Sequence, residues 1–299
     1  MERSASTFAE EWTSFVQCVG SRSLLRIAPT PSGFLHLGNA VNFVLNWLAA
    51  RLRPGARLLL RIDDLDAERK RPEYVQNIFD TLHWLGIDWD EGPRSPAELE
   101  NCWSQRFRLP LYEHLLGTLR AKGVVFACAK SRRELAALNG YYPEHFRQQA
   151  CSLDDLNVAW RLRTPLPHNT AYMPPDFVVR RRDGIPAYQL VSVADDIHFG
   201  VTHVIRGEDL RPSTHAQQYL AQCAGLLDFN KIIFLHHPLL LDAAGNKLSK
   251  SSGARALHQP HNRHSAPTLV YTTVARWLKL EEPVTSADQL LNLARQRQS

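Results

Sequence analysis

Apolar residues along this chain switch between continuous short runs and helical spacing, and the switching predicts an α/β fold built on a parallel sheet. The run Ser23-Leu24-Leu25-Arg26-Ile27-Ala28 has the length of a buried strand, and Pro29-Thr30-Pro31-Ser32-Gly33 halts it. Val41, Val44, Leu45, Leu48 and Leu52 then recur at helical spacing up to Pro54-Gly55, after which Leu58-Leu59-Leu60-Arg61-Ile62 reads as a second strand. Two apolar strands joined by one helix form a βαβ unit, with a right-handed crossover expected. Val75, Ile78, Phe79, Leu82 and Leu85 predict a helix ending at Gly86, and another is predicted from Leu109 to Lys122 before Gly123.

The pattern changes between residues 125 and 185, where short segments rich in Pro and Arg read as an insertion. Arg182-Asp183-Gly184 is predicted to turn a hairpin between Phe177-Val178-Val179 and Tyr188-Gln189-Leu190. Val201–Ile205 and Ile232–Leu235 resume the sheet on either side of a helical pattern from Ala216 to Ala224. Residues 1–22 read as a polar extension and residues 254–299 as helical, with no internal repeat.

Composition narrows the class. At 299 residues, with 44% hydrophobic and 22% charged residues, the chain suits one large nucleotide-binding domain with an insertion, or two modest domains, and not extended disorder. A net charge of +5 is compatible with an anionic partner without requiring one. The five cysteines Cys18, Cys102, Cys128, Cys151 and Cys223 form no CxxC pair, which argues against a disulfide framework. Glu2, Glu10 and Glu11 crowd the N-terminus, and no apolar run reaches the roughly 18–20 residues of a membrane span. A reducing cytoplasm without membrane attachment is the expected setting.

Two tracts carry phosphate chemistry. The first, Pro29 to Asn39, includes His36-Leu37-Gly38-Asn39 and lies where the first strand hands over to a helix, whose unpaired N–H groups and dipole favour a phosphate. Gly38 allows close backbone approach, and His36 supplies a hydrogen-bond donor to phosphate oxygens. The second, Gly245-Asn246-Lys247-Leu248-Ser249-Lys250-Ser251-Ser252-Gly253, sets two lysines in a Gly- and Ser-rich loop able to close over polyphosphate. Neither GxxxxGK[ST] nor GxGxxG occurs.

These paired tracts resemble the two signature motifs of class I aminoacyl-tRNA synthetases. Further stretches resemble the glutamyl branch of that family: Arg26–Gly33, Arg61-Ile62-Asp63-Asp64-Leu65-Asp66, Asp195-Asp196, and Gly200 to Asp209. The resemblance covers residues 24–253. It implies a Rossmann-like, doubly wound parallel sheet with an inserted α+β subdomain and a short helical C-terminal region. The expected divisions are an extension (1–22), two catalytic halves (23–105 and 186–253) around an acceptor-type insertion (106–185), and a helical end (254–299) with no anticodon-binding domain.

The resemblance also assigns residues. It implies catalysis by His36, Lys247 and Lys250; ATP contacts from His36, Gly38, Asn39, Glu208, Lys247, Ser249 and Lys250; and a glutamate pocket of Arg26, Thr30, Asp63, Tyr188 and Arg206. Asp63 departs from the family pattern, which has Glu there, and so draws the carboxylate back by roughly 1.5 Å. The implied partners are L-glutamate, ATP with Mg2+, and tRNA. The short length resembles the shortened branch that carries glutamate to queuosine in the tRNA(Asp) anticodon, acting as a monomer. Two alternatives stay open: a truncated glutamyl-tRNA synthetase charging the 3′ end of tRNA(Glu), and a non-catalytic paralogue that binds tRNA or nucleotide. Pro186-Ala187-Tyr188-Gln189-Leu190 leans toward the short branch, and Arg132-Arg133 and Arg180-Arg181-Arg182 are candidates for tRNA phosphates.

The family often holds zinc in the insertion through a Cys-x-Cys pair followed by Tyr-x-x-x-Cys. Here those places are Cys128, Lys130, Tyr142 and Phe146, a degraded set that implies no metal, with Cys151 and His145 as conceivable substitutes.

Overall fold

The computed structural model describes residues 5–136, 142–148, 150–165, 175–240, 267–280 and 283–297. They fall into two units, the first comprising 1–107, 201–209 and 232–299 and the second 108–200 and 210–231.

The first unit is built on four parallel strands. In chain order its elements are α1 (Ala5–Cys18), β1 (Leu24–Ile27), α2 (Leu37–Arg51), β2 (Arg57–Leu60), α3 (Pro72–Trp84) and α4 (Pro96–Glu98). Strands β1 and β2 pair in parallel from Leu24↔Arg57 to Ile27↔Leu60, so the predicted strand, helix, strand unit is present. Helix α2 is buried almost all round, from Ala40 to Ala50, as expected of a helix packed between sheet and further helices rather than facing water. Leu45 and Leu48 are fully buried, each contributing about 1.5–3 kcal/mol relative to exposure.

Residues 5–18, expected as part of a polar extension, are instead a helix. Phe8, Trp12, Phe15 and Val16 fall on one stripe at helical spacing and are buried, and Phe8 meets Trp277 edge-to-face at 5.9 Å. The polar residues between them occupy the outer face, which conceals the stripe in a linear reading.

The second unit continues with α5 (Leu109–Ala121), β3 (Val125–Cys128), α6 (Arg132–Ala136), β4 (Ala159–Leu162), β5 (Phe177–Arg180) and α7 (Tyr188–His198). Strands β3, β4 and β5 form an antiparallel sheet in that order. Its buried ionic centre is Asp195 on α7, which receives Arg108 Nε at 2.7 Å, Arg108 Nη2 at 3.1 Å and the Tyr112 hydroxyl at 2.7 Å. Burial and the neighbouring carboxylate push the Tyr112 hydroxyl pKa upward, so it remains a donor.

The expected hairpin is corrected here. The turn exists, with Gly184 at φ +88° and Arg181 N–H bonded to Ile185 O at 2.8 Å, but the returning limb is a single bridge, Arg180 to Pro186. Tyr188-Gln189-Leu190 opens helix α7 instead of forming a strand. Proline has no N–H to extend a ladder, and Leu190, Val191, Val193 and Ala194 bury on a helical face.

The chain then returns to the first unit with β6 (His203–Gly207), enters the second for α8 (Arg211–Ala224), and returns again for β7 (Ile233–His237), α9 (Thr268–Trp277) and α10 (Ala287–Gln296). The parallel sheet runs β2-β1-β6-β7. Helices α9 and α10 pack on α2 within the first unit. No helix among the described residues is long and apolar enough to cross a membrane.

Candidate active site

His36 closes the loop after β1 and begins α2. Its backbone is extended (φ −122°, ψ 173°), its Nδ1 accepts the Gly38 N–H at 3.1 Å, and its own N–H donates to Asn39 Oδ1 at 3.0 Å. This reciprocal cap satisfies two donors that a helix start leaves open. With Nδ1 used as an acceptor, the proton of a neutral ring sits on Nε2. Gly38 serves this geometry directly: a Cβ there would stand 3.0 Å from His36 Cε1 and 3.1 Å from Nδ1.

Side chains not singled out in the sequence hold this turn in place. Leu35 N–H donates to Asn77 Oδ1 of α3 at 2.9 Å, a buried bond. From α2, Asn42 Nδ2 reaches Ile205 O of β6 at 2.9 Å and Asn46 Nδ2 reaches the same oxygen at 3.1 Å. The available signal was asparagine within an otherwise apolar helix, since a buried amide such as that of Asn46 persists only when paired.

Strand β1 carries Arg26 and the neighbouring β6 carries Arg206, which are 6% and 3% exposed. Leu25 is in register with His203 across this parallel pair, so Arg26 and Arg206 project from the same sheet face. The Arg206 guanidinium lies 4.8 Å from the Phe234 ring centroid. Beyond β2, Arg61 N–H bonds Ile27 O and Asp63 N–H bonds Pro29 O, both at 2.9 Å, which aligns Asp63 with the loop holding Thr30. Thr30 itself is exposed.

The Asp63 carboxylate is gripped in bidentate fashion by Arg61, Nε to Oδ1 at 2.7 Å and Nη2 to Oδ2 at 3.1 Å, with Gln105 Nε2 3.4 Å from Oδ1. Next to it, Asp64 receives Lys70 Nζ at 2.7 Å and Gln105 N–H at 2.8 Å. A capped helix start thus stands in one unit with two buried arginines on one sheet face and a carboxylate whose position is locked.

Residues 24–157 and 156–278 match the family model of tRNA synthetases class I (E and Q), catalytic domain. The chain belongs to this family. It is 44% identical over 242 residues to the glutamyl-Q tRNA(Asp) synthetase of Parasynechococcus marenigrum, covering 78% of this chain and 76% of that protein. A glutamyl-Q tRNA(Asp) synthetase of Nitratidesulfovibrio vulgaris is 40% identical over 253 residues, covering 75% and 76%. A Synechococcus glutamate–tRNA ligase is 36% identical, but this chain spans only 52% of its length. Among solved structures, a glutamate tRNA ligase from Elizabethkingia meningosepticum in complex with its amino acid superposes with a TM-score of 0.67 at 22% identity, over 90% of this chain and 64% of that one. That likeness supports the Rossmann-like catalytic fold. The family is one of aminoacyl-tRNA ligases.

The structure places the synthetase motifs unevenly. Arg26, Thr30, His36, Gly38, Asn39, Asp63, Arg206 and Glu208 all lie in the first unit. Asn39 spends its side-chain oxygen on the helix cap. Tyr188 is the first residue of α7 in the second unit and is 45% exposed. Lys247, Ser249 and Lys250 lie outside the described residues.

The degraded zinc positions of the synthetase are filled by a different kind of chemistry. The Tyr142 hydroxyl donates to Cys128 Sγ at 3.1 Å, Phe146 meets the Tyr142 ring edge-on at 5.5 Å, and Lys130 Nζ lies 4.9 Å from the Phe146 centroid. Arg161 covers the Tyr142 ring at 4.4 Å. Zinc needs about four N, O or S donors. Cys128 and Tyr142 satisfy each other, Lys130 brings a positive charge and Phe146 brings no donor, so this set does not fit the metal. Of the substitutes, Cys151 has Sγ 3.5 Å from Ala127 O and a thiol pKa pushed up by burial, while His145 is exposed against Phe146. Among the described residues no three His, Cys, Asp or Glu side chains are grouped to hold a metal.

The candidate phosphate arginines are partly committed. Arg180 lies over Trp160 at 5.3 Å, Arg181 pairs with Asp183 at 2.6 Å, and Arg182 bonds Asn157 O at 2.7 Å. His237, at the end of β7, was not singled out by its sequence context. Its Nδ1 is 2.8 Å from Pro238 O, its ring stacks on Trp277 at 5.4 Å, and burial lowers its pKa, with only partial opposition from the backbone hydrogen bond.

Proposed function

We propose that this synthetase joins L-glutamate to ATP as glutamyl-adenylate and passes the glutamyl group to queuosine in the anticodon of tRNA(Asp). The observation that supports this most directly is the pair of buried arginines, Arg26 and Arg206, on one face of adjacent strands and in the unit that carries the His36 cap. A dicarboxylate substrate calls for cations that are already desolvated and fixed. The relatives named glutamyl-Q tRNA(Asp) synthetase support the choice of acceptor.

In this reading a glutamate carboxylate oxygen attacks the ATP α-phosphorus, the bond to the β-phosphate oxygen breaks, and pyrophosphate leaves. The His36 Nε2–H donates to the phosphate oxygens as their charge grows, and Lys247 and Lys250 neutralise the departing pyrophosphate. Gly38, Asn39, Glu208 and Ser249 shape the nucleotide site. Magnesium, carried by the nucleotide phosphates, supplies further charge neutralisation there. Arg26, Thr30, Tyr188 and Arg206 orient the amino acid, and Asp63 receives its ammonium group either through a water or with the substrate shifted. A hydroxyl of queuosine then attacks the acyl carbon, its proton passes to the released AMP, and the ester remains on the RNA. The protein acts in the cytoplasm as a monomer.

The test is to incubate the protein with ATP, labelled glutamate and queuosine-containing tRNA(Asp) and then locate the label. Label on the anticodon base is the expected result. In a parallel incubation with tRNA(Glu), label on its 3′ end would establish the truncated glutamyl-tRNA synthetase reading instead, and no glutamate-dependent ATP–pyrophosphate exchange would establish the non-catalytic one. Lys250→Ala should lower exchange on the order of 10²–10³-fold while the far-UV circular dichroism is unchanged.

A further inference from the structure

Two residues before the cap residue His36, Phe34 exposes 46% of its surface, an exposure matched among the phenylalanines only by Phe107 at 50%. An exposed aromatic beside a polar ligand loop calls for a reason, because burial of such a ring is worth about 1.5–3 kcal/mol. The ring is also held in position. Tyr74 of α3 meets it edge-to-face, with centroids 5.1 Å apart and planes at 83°. One turn further along the same helical face, Asn77 takes the N–H of Leu35 at 2.9 Å. Helix α3 therefore grips the Phe34–Leu35 segment at two successive points, once by a ring and once by an amide, and fixes an aromatic surface to the turn that ends at His36.

The charge next to this surface is positive at one position. Arg71, one turn before Tyr74, stands at the N-cap position of α3 without a side-chain capping bond, is exposed, and forms no ion pair among the described residues. Glu73 also lies in the first turn and is exposed, so the patch is mixed and not a strong cationic field. A fixed aromatic pair, Phe34 half-exposed and Tyr74 partly buried, with one unpaired guanidinium is the pattern that receives an unstacked nucleobase and its phosphate, since every base has a π face and an arginine can meet the adjoining backbone.

We propose that Phe34 and Tyr74 form a stacking platform for an unpaired nucleobase of the RNA acceptor, with Arg71 meeting its backbone. The proposal rests on the RNA acceptor reading given above. Activated glutamate would be generated beside His36, and an acceptor nucleotide has to leave its own stack to approach that point; the platform lies two residues from it and offsets the lost stacking. Neither Phe34 nor Tyr74 belongs to the set assigned to ATP or glutamate.

The experiment compares Phe34→Ala, Phe34→Leu, Phe34→Trp and Tyr74→Ala with the parent in three measurements: glutamate-dependent ATP–pyrophosphate exchange, direct binding of the RNA that the parent acylates, and KM for that RNA in transfer. Stacking on an aromatic is worth about 1–3 kcal/mol per base, so loss of the ring should raise Kd and KM for RNA on the order of tenfold or more. Exchange should stay within about twofold of the parent, since the platform meets the acceptor only. Phe34→Leu retains apolar bulk but loses the π face and should behave like Phe34→Ala, whereas Phe34→Trp should bind RNA at least as well as the parent. Arg71→Gln should reduce the slope of log K against log salt by about one.

Parental RNA binding and KM in Phe34→Ala and Tyr74→Ala would overturn the platform and leave the exposed ring to a protein partner. Parallel loss of exchange and RNA binding would also overturn it, by showing that the ring only shapes the nucleotide turn. If the parent itself charges a 3′ end, the queuosine assignment fails separately, and the same variants still report on the platform with that RNA.

Discussion

The imidazole of His36 takes the N–H of Gly38 on Nδ1 at 3.1 Å, and a Cβ at position 38 would press to within 3.0 Å of the ring. Glycine here thus sets the orientation of a histidine, beyond allowing a ligand to approach. Ring tautomer and ring position are both decided by a residue two places along the chain.

Gly38→Ala should therefore impair chemistry more than folding. Displacing the ring removes one aligned donor to the phosphates, so glutamate-dependent ATP–pyrophosphate exchange is expected to fall on the order of 10²-fold. The thermal midpoint should change little, since alanine suits a helix N-terminus. Unchanged exchange would show that His36 does not face the nucleotide.

The Asp195 centre should govern stability of the second unit. Asp195→Asn leaves Arg108 buried with its charge unmatched, which typically costs about 3–5 kcal/mol, whereas Tyr112→Phe deletes one buried hydrogen bond at about 1–3 kcal/mol. Urea unfolding of the two variants should rank them in that order.

The insertion should be independent of zinc. Purified protein is expected to contain no stoichiometric zinc by elemental analysis, and a chelator should leave its thermal midpoint unchanged. Phe146→Ala should lower the midpoint, because it removes the ring that links Tyr142 to Lys130. Replacing Lys130 and Phe146 together with cysteine restores a thiolate-rich donor set and should create zinc binding; absence of binding would show that the backbone there has also diverged.

Stability should decline as the solution becomes acidic. Burial holds the folded-state pKa values of His203 and His237 below the ordinary value of 6.5. Below about pH 6.5 the unfolded chain then binds protons that the folded chain refuses, so stability is lost as pH falls through the unfolded value and is unaffected by these groups above it. Each histidine contributes at most about 1.4 kcal/mol per pH unit. His237→Leu should flatten part of this acid slope in denaturant titrations between pH 4.5 and pH 7, and an unchanged slope would place the linkage elsewhere.

Much of the scaffold was readable from local pattern. Strands β1 and β2, helices α2, α3 and α5, and the His36 turn followed from apolar spacing and from Pro and Gly stops, because those preferences act within one or two turns of chain. Helix α1 was missed although Phe8, Trp12, Phe15 and Val16 were in plain order, since the intervening polar residues dominate an average over the segment. Tyr188-Gln189-Leu190 reads as a strand because a three-residue alternation of apolar and polar positions suits either state, and only packing of the following turns selects the helix.

By itself the sequence determined most of the element types, the turn at His36 and the family to which the chain belongs, because these depend on short stretches and on residue identities at set positions. The tertiary structure alone decided the strand order β2-β1-β6-β7, the shared face of Arg26 and Arg206, and the asparagine ties from α2 to β6. Leu24 N–H finds its acceptor on Thr202, 178 residues away. Pairing across such a distance is chosen by which surfaces can be buried together, a property of the assembled core that no local stretch of chain contains.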